Sequence, residues 1–198
     1  MDPERVDAGV LFLALPRFVQ LDDEQFYELC RFNRELRIER AAGGGLSIKP
    51  PAGGDTSRRN AAIVRQLANW AGRTGAGTCF DSSCGFVLPS GAIRSPDASW
   101  VLRERLDVLT QRQRSRFLPL CPDFVVELRS PTDSLRVLQD KMREYIDNGA
   151  RHGWLIDPQG REVLVYRPNA PVERLRAPEH LSAEVPLAEF RLELHEIW

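Results

Sequence analysis

The sequence predicts an α/β fold, one mixed β-sheet flanked by helices. Three observations carry that expectation. Helical and strand patterns are interspersed in an irregular order along the chain rather than segregated. No internal repeat and no linker rich in Gly, Ser or Pro divides it. The 198 residues, 42% of them hydrophobic, suffice for one ordinary core. Residues 21–198 therefore read as a single domain, and residues 1–20, weakly patterned, as an N-terminal extension.

The elements follow in chain order. In LDDEQFYELCRFN, Asp22 or Asp23 caps a helix on which Phe26, Leu29 and Cys30 or Asn33 share a face. ELRIER then alternates, Ala41 to Gly45 connect, and LSIKP completes a hairpin that holds Ile38 and Leu46 inward. Glu39 points opposite Ile38, into solvent unless something covers that side. After a loop PPAGGDTSRRN, Asn60 to Arg73 read as a helix. Ile63, Val64, Leu67, Ala68 and Ala71 form its apolar side, with Gly72 and Gly75 near its end.

GTCFDSSCGFVLP fits two short strands and a turn, and GAIRSPDASWV leads into another strand. Residues 103–116 are helical or irregular, and DFVVEL is a central strand. Ser134 to Asn148 give the clearest helix, with an apolar stripe of Leu135, Leu138, Met142, Tyr145 and Ile146. Ser134 caps it and Gly149 ends it. GWLID, PQGR and EVLVYRP form a hairpin, and the tail from about 171 adds turns and a last strand, FRLELHEIW.

A formal net charge of −1 and a pI near 6.3 give no global attraction to nucleic acid or to acidic membranes. A nucleic-acid role needs a local positive surface, and RERLDVLTQRQRSR, with five Arg against two acids, is the candidate. Its bland reading is a solvated face. Cys30, Cys79, Cys84 and Cys121 lack both Cys-x-x-Cys spacing and a nearby His pair, which argues for free thiols over structural zinc. No apolar run approaches about 18 residues, so no signal peptide or membrane span is expected, and a reducing cytoplasm is the expected compartment. Ser82, Ser83 and Cys84 have no nearby base, because His152, His180 and His195 all lie late in the chain. The glycines form no phosphate loop with Gly-Lys-Ser/Thr.

Two acids interrupt apolar strands. Asp97 stands at the mouth of ASWVL, and Glu127 near the end of DFVVEL. A carboxylate in a central strand must be solvated, paired or metal-bound. Two on neighbouring strand ends are the minimum for Mg²⁺, which keeps waters and can take a backbone carbonyl such as that of Leu128. The competing reading is a structural Asp at a strand start and a Glu paired with an Arg. Arg129, two residues on, projects from the Glu127 face. Lys141 borders the packed stripe of the next helix, where a lysine ordinarily snorkels.

RSPDASWV, followed by PDFVVELRSPTDSLRVLQDKMREYIDNGARHGWLIDP, resembles a restriction-endonuclease family abundant in cyanobacteria, within the PD-(D/E)XK nuclease superfamily. RIERAAGGGLSIKPPAGGDTSRRNAAI resembles its N-terminal Glu-bearing hairpin and following helix, so the likeness runs from about residue 22 to 198. It implies a restriction-endonuclease-like core, and hydrolysis of DNA phosphodiesters with Mg²⁺, or Mn²⁺ in its place. By the same resemblance, Asp97 and Glu127 are the metal ligands, and Lys141 is a catalytic lysine moved from strand to helix. Glu39 is the N-terminal acid that holds a metal-bound water or a second ion. Arg129 takes the usual lysine position, with its charge but without capacity as a base.

Two departures stand out: Thr56 where many relatives have His, and Gly153–Trp154 where they have a Tyr–Trp pair. Asp123 also follows a proline but lies too close to the Glu127 strand to replace Asp97. Arg58, Arg59, Arg103, Arg112, Arg114 and Arg116 are the expected contacts to the DNA backbone. A homodimer, with two sites for two strands, fits. The alternatives are a non-catalytic binding module that retained the acid pair, and an interaction domain with Trp154, Trp198 and VLFLALPRF in an interface.

Overall fold

A computed structural model of the chain describes residues 10–16 and 18–198. Of the N-terminal extension, residues 1–9 and 17 therefore lie outside the described residues. Strand β1 (Leu11–Leu13) precedes helix α1 (Asp23–Phe32). Asp22 caps that helix in a reciprocal box: the Gln25 amide donates to Asp22 Oδ1 at 2.7 Å, and the Asp22 amide to Gln25 Oε1 at 3.0 Å. Strands β2 (Arg37–Arg40) and β3 (Leu46–Lys49) form the expected hairpin.

Helix α2 (Gly54–Thr74) begins six residues before the expected start, inside the stretch read as a loop. Its first turn has weak intrinsic propensity, but the second turn has tertiary anchors. Arg58 donates to the Glu196 carbonyl at 2.8 Å and Arg59 to that of Ile197 at 2.7 Å, while Asp55 complements the positive helix end. The helix stops at Gly75, whose φ of 64° suits glycine.

Then come β4 (Gly77–Asp81), β5 (Phe86–Val87), β6 (Ile93–Arg94) and β7 (Ala98–Leu102). Short helices α3 (Arg103–Asp107) and α4 (Gln111–Arg114) lead to β8 (Phe124–Leu128), α5 (Leu135–Asp147), β9 (His152–Asp157) and β10 (Glu162–Tyr166). The chain closes with β11 (Glu173–Arg176), β12 (His180–Ser182) and β13 (Arg191–Glu193).

A mixed sheet flanked by helices is present, with order β11-β10-β9-β8-β7-β4. All its pairs are antiparallel except β8–β9, which α5 joins as a crossover. The expectation of a single sheet is corrected. A second, antiparallel sheet has order β1-β3-β2-β6-β5, and β12 pairs with β13 apart from both. The chain passes from the first sheet to the second at the turn after β4, and strands of two residues carry no pattern that reveals such a change.

Alternation along the central strands builds the two sides of the core. Phe124, Val126 and Leu128 of β8 face α2 and the C-terminal segment, packing with Trp70, Trp100, Trp154 and Phe190. Val125 faces α5, with Leu138, Met142, Tyr145 and Leu155. Trp154 is 1% exposed and stacks on Phe190 at 5.8 Å, so it belongs to the core, not to an interface. Trp198 packs against that same cluster and donates to the Pro178 carbonyl at 3.0 Å. The four cysteines are free thiols, and burial pushes Cys79, Cys84 and Cys121 up to about 12. Among the described residues no helix is long and apolar enough to cross a membrane.

His152 opens β9 in this core, between the rings of Phe124 and Trp154, and its Nε2 meets no hydrogen-bond partner. Burial, helped by Arg167, lowers its pKa to about 4. The unfolded chain takes up a proton near 6.5 while the folded one resists it, so stability is full above 6.5 and is lost as pH falls toward 4. The full loss is about 3 kcal/mol. Urea denaturation of the wild type should show this slope between those pH values, and His152→Gln should remove it.

Candidate active site

The register of the central strands brings the two acids together. β7 pairs antiparallel with β8 through Ala98 and Val126, so one step further Asp97 comes opposite Glu127. Both acids share the strand face of Val101 and Val125, which is the α5 side. The Leu128 amide donates to Asp97 Oδ2 at 2.9 Å and fixes that carboxylate. Asp97 reaches the surface, its side chain 19% exposed, whereas Glu127 is 1% exposed.

Helix α5 supplies the partners of Glu127. Lys141 and Tyr145 stand four residues apart and so occupy one helix face. The Lys141 ammonium lies 2.8 Å from Glu127 Oε1 and 2.9 Å from Glu39 Oε1. The Tyr145 hydroxyl donates to the same Glu127 oxygen at 3.0 Å. Lys141 is thus a buried bridge between two sheets, and the snorkelling expected of it does not occur.

For Glu39 something does cover its side of the hairpin: α5 and the segment after β6 leave it 6% exposed. It also accepts from the Ser95 amide at 2.9 Å and faces Arg94 at 3.4 Å, and Arg94 in turn donates to Glu144 at 2.5 Å.

Electrostatics divide the two buried glutamates. Burial disfavours the charge on Glu39, but Lys141, Lys49 and Arg94 outweigh it and hold this carboxyl well below the usual range. Glu127 moves the other way, because burial and the like charge of Asp97 exceed the help from Lys141. Burial and Glu127 raise Tyr145 well above 10, so it remains a donor. Burial also opposes the charge on Lys49, yet Glu39, Glu127, Asp97 and Asp133 together raise its pKa and keep it cationic.

A family model described as "Putative restriction endonuclease", named Uma2, matches residues 23–195. The chain belongs to the Uma2 family. A solved structure, described as a putative nuclease belonging to DUF820 from Anabaena variabilis ATCC 29413, superposes with a TM-score of 0.69 and 22% identity. The match covers 81% of this chain and 88% of that one. It shows that the fold is the restriction-endonuclease-like α/β core. No curated protein matches.

Several residues expected in this Uma2 site lie outside the cluster. Arg129 donates to Asp157 at 2.7 Å and to the Asp133 carbonyl at 3.2 Å, just beyond the end of β8. Leu128 meets Asp97 through its amide. The other basic side chains hold the fold. Arg58 and Arg59 grip C-terminal carbonyls, and Arg103 donates to the Gly75 carbonyl at 2.7 Å. Arg114 donates to the Leu109 and Asp107 carbonyls, while Arg112 and Arg116 pair with Glu24. Asp123 is buried, where it accepts the Leu102 amide and pairs with Arg105.

Three site residues escaped the sequence reading: Tyr145, Arg94 and Lys49. The helical spacing from Lys141 signals Tyr145, and Lys49 alternates with Ser47, which pairs with Glu39. Arg94 carried no signal of its own. Lys141→Met should destabilise the fold by about 3–5 kcal/mol, because it strands Glu39 and Glu127 as buried carboxylates without their shared cation. Adding Glu39→Gln should recover part of that loss, read as a non-additive coupling in urea denaturation.

Proposed function

We propose that this protein is a metal-dependent endonuclease that hydrolyses phosphodiester bonds in DNA. The observation that carries the reading is the Asp97–Glu127 pair at the ends of β7 and β8, with the Lys141 ammonium 2.8 Å from Glu127. Family membership supports the same chemistry.

The donor set suits Mg²⁺, with Mn²⁺ as a substitute. Two hard carboxylates bring like charges together, and a cation would offset both the burial of the Glu127 charge and its repulsion from Asp97. Among the described residues no three His, Cys, Asp or Glu side chains converge as a metal cluster. Waters, and in this proposal the Leu128 carbonyl, would therefore complete the shell. A divalent ion held there supplies Lewis-acid polarisation of a phosphoryl oxygen and a water of lowered pKa.

The chain's own groups do the rest. Tyr145 and Lys141 both engage Oε1 of Glu127, which leaves its second oxygen for the ion in this proposal. An ammonium has three donors, and Glu39 and Glu127 take two of them. The third would orient the nucleophile or meet charge developing on the phosphoryl oxygens, where it contributes more than in the ground state. Glu39 serves as the anchor that holds Lys141 and Arg94 in place. Arg129, paired with Asp157, adds positive field without reaching the acids.

In this reading Arg112, whose side chain is 77% exposed and only loosely paired with Glu24 at 3.8 Å, would contact a DNA backbone. A homodimer would present two such sites to a duplex. The exposed Leu11, Phe12 and Leu13 on the edge strand β1 favour that assembly.

Cleavage of supercoiled plasmid and of single-stranded DNA in Mg²⁺ or Mn²⁺ tests the proposal. Asp97→Ala and Glu127→Ala should each lower the rate by about 100-fold or more, and chelation should abolish it. Activity that survives in both variants overturns the site. A wild type that binds DNA without cutting it shows a binding module that kept its acid pair.

A further inference from the structure

One face of the β2–β3 hairpin carries two cations that the chemistry above leaves unused. The register pairs Arg37 with Lys49 and Glu39 with Ser47, so alternation puts these four side chains on one face. The opposite face is packed: Ile38 and Leu46 join the cluster around Phe26, and Arg40 lies over the Phe26 ring at 5.4 Å. Like charges directly across an antiparallel pair cost stability. The acids beside them offset that cost in the fold and also set both cations at the site.

Arg37 lies 3.7 Å from Asp97 Oδ1, beyond hydrogen-bond range, and donates to the Ser82 carbonyl at 3.3 Å. Its side chain is 37% exposed, while its ion-pair partner Asp97 is the acid that reaches the surface. Lys49, partly buried, stands directly across the hairpin from Arg37 and on the face that carries Glu39, so it borders the same site. Two cations on one strand face, bordering the exposed acid, match an anion that must approach those acids against their charge.

We propose that Arg37 and Lys49 form a phosphate clamp at the mouth of the acid pair, taking the non-bridging oxygens of a nucleic-acid phosphodiester. The clamp rests on the nuclease reading and extends it to how the substrate is held. The guanidinium offers a fork of donors and the ammonium a compact point charge.

Fluorescence anisotropy with a labelled DNA duplex in Ca²⁺, across a salt series, tests the clamp, alongside calorimetric titration of each protein with Mn²⁺ alone. Arg37→Gln and Lys49→Gln should each weaken duplex binding about 10-fold and lower the salt slope by about 1. Neither should weaken Mn²⁺ binding, because each removes a positive charge beside the acids; a purely structural role would impair both. Lys49→Arg, which keeps the charge, should retain duplex binding, and Arg191→Gln on β13 should match the wild type.

Wild-type affinity and slope in both Gln variants overturn the clamp, and leave the nuclease reading standing if Asp97→Ala still abolishes cleavage. A wild type that neither binds nor cuts the duplex overturns the nuclease reading and the clamp together.

Discussion

A carboxylate buried near the end of a central strand is the constraint on which this structure turns. Glu127 lies in β8, between β7 and β9, beneath α5 and 1% exposed. Isolation of such a charge is among the costliest events in a protein interior. The surrounding structure answers it in steps. Lys141 and Tyr145 come down from α5, Glu39 crosses from the second sheet to share the ammonium, and Arg94 with Glu144 balances Glu39. Removing any member exposes the next, so the polar cluster acts as one unit.

That chain of contacts also explains why two sheets are needed. The main sheet supplies Glu127 and, at its edge, Asp97; the second supplies Glu39 and Arg94 from β2 and β6. Helix α5 is the only element bonded to carboxylates of both sheets among the ion pairs of the described cluster. The candidate site thus lies at the junction of the two sheets, and its exposure is uneven. Asp97 opens to solvent with Arg37 beside it, whereas Glu127 is sealed behind Lys141 and Tyr145.

Legibility in the sequence tracked how far each feature depends on local pattern. The β8 strand, α5 with its Ser134 cap, and the β9–β10 hairpin were readable because burial and period coincide there. Asp97 was conspicuous as an acid at the start of an apolar strand. The α2 start was hidden because Arg58 and Arg59, just past its first turn, are anchored by contacts with residues 196 and 197, remote in sequence. The second sheet was hidden because β5 and β6 have two residues each. Glu39 looked solvated for the same kind of reason, since alternation reports which face a side chain takes but not what later covers it.

The same logic connects ordinary packing to the site. Gly153 of β9 lies under α5, and a Cβ there would come 2.5 Å from Met142 Cε and 3.2 Å from Val125 Cγ2. Met142 directly follows Lys141, so the residue that seats the helix on the sheet neighbours the one that bridges the acids. Glycine at 153 lets α5 approach closely enough for a lysine ammonium to reach a carboxylate rooted in the strand. The Tyr that stands here in the family pattern could not enter this space while Met142 fills it. Gly153 and Met142 therefore form one packing solution, and the reach of Lys141 to Glu127 depends on it.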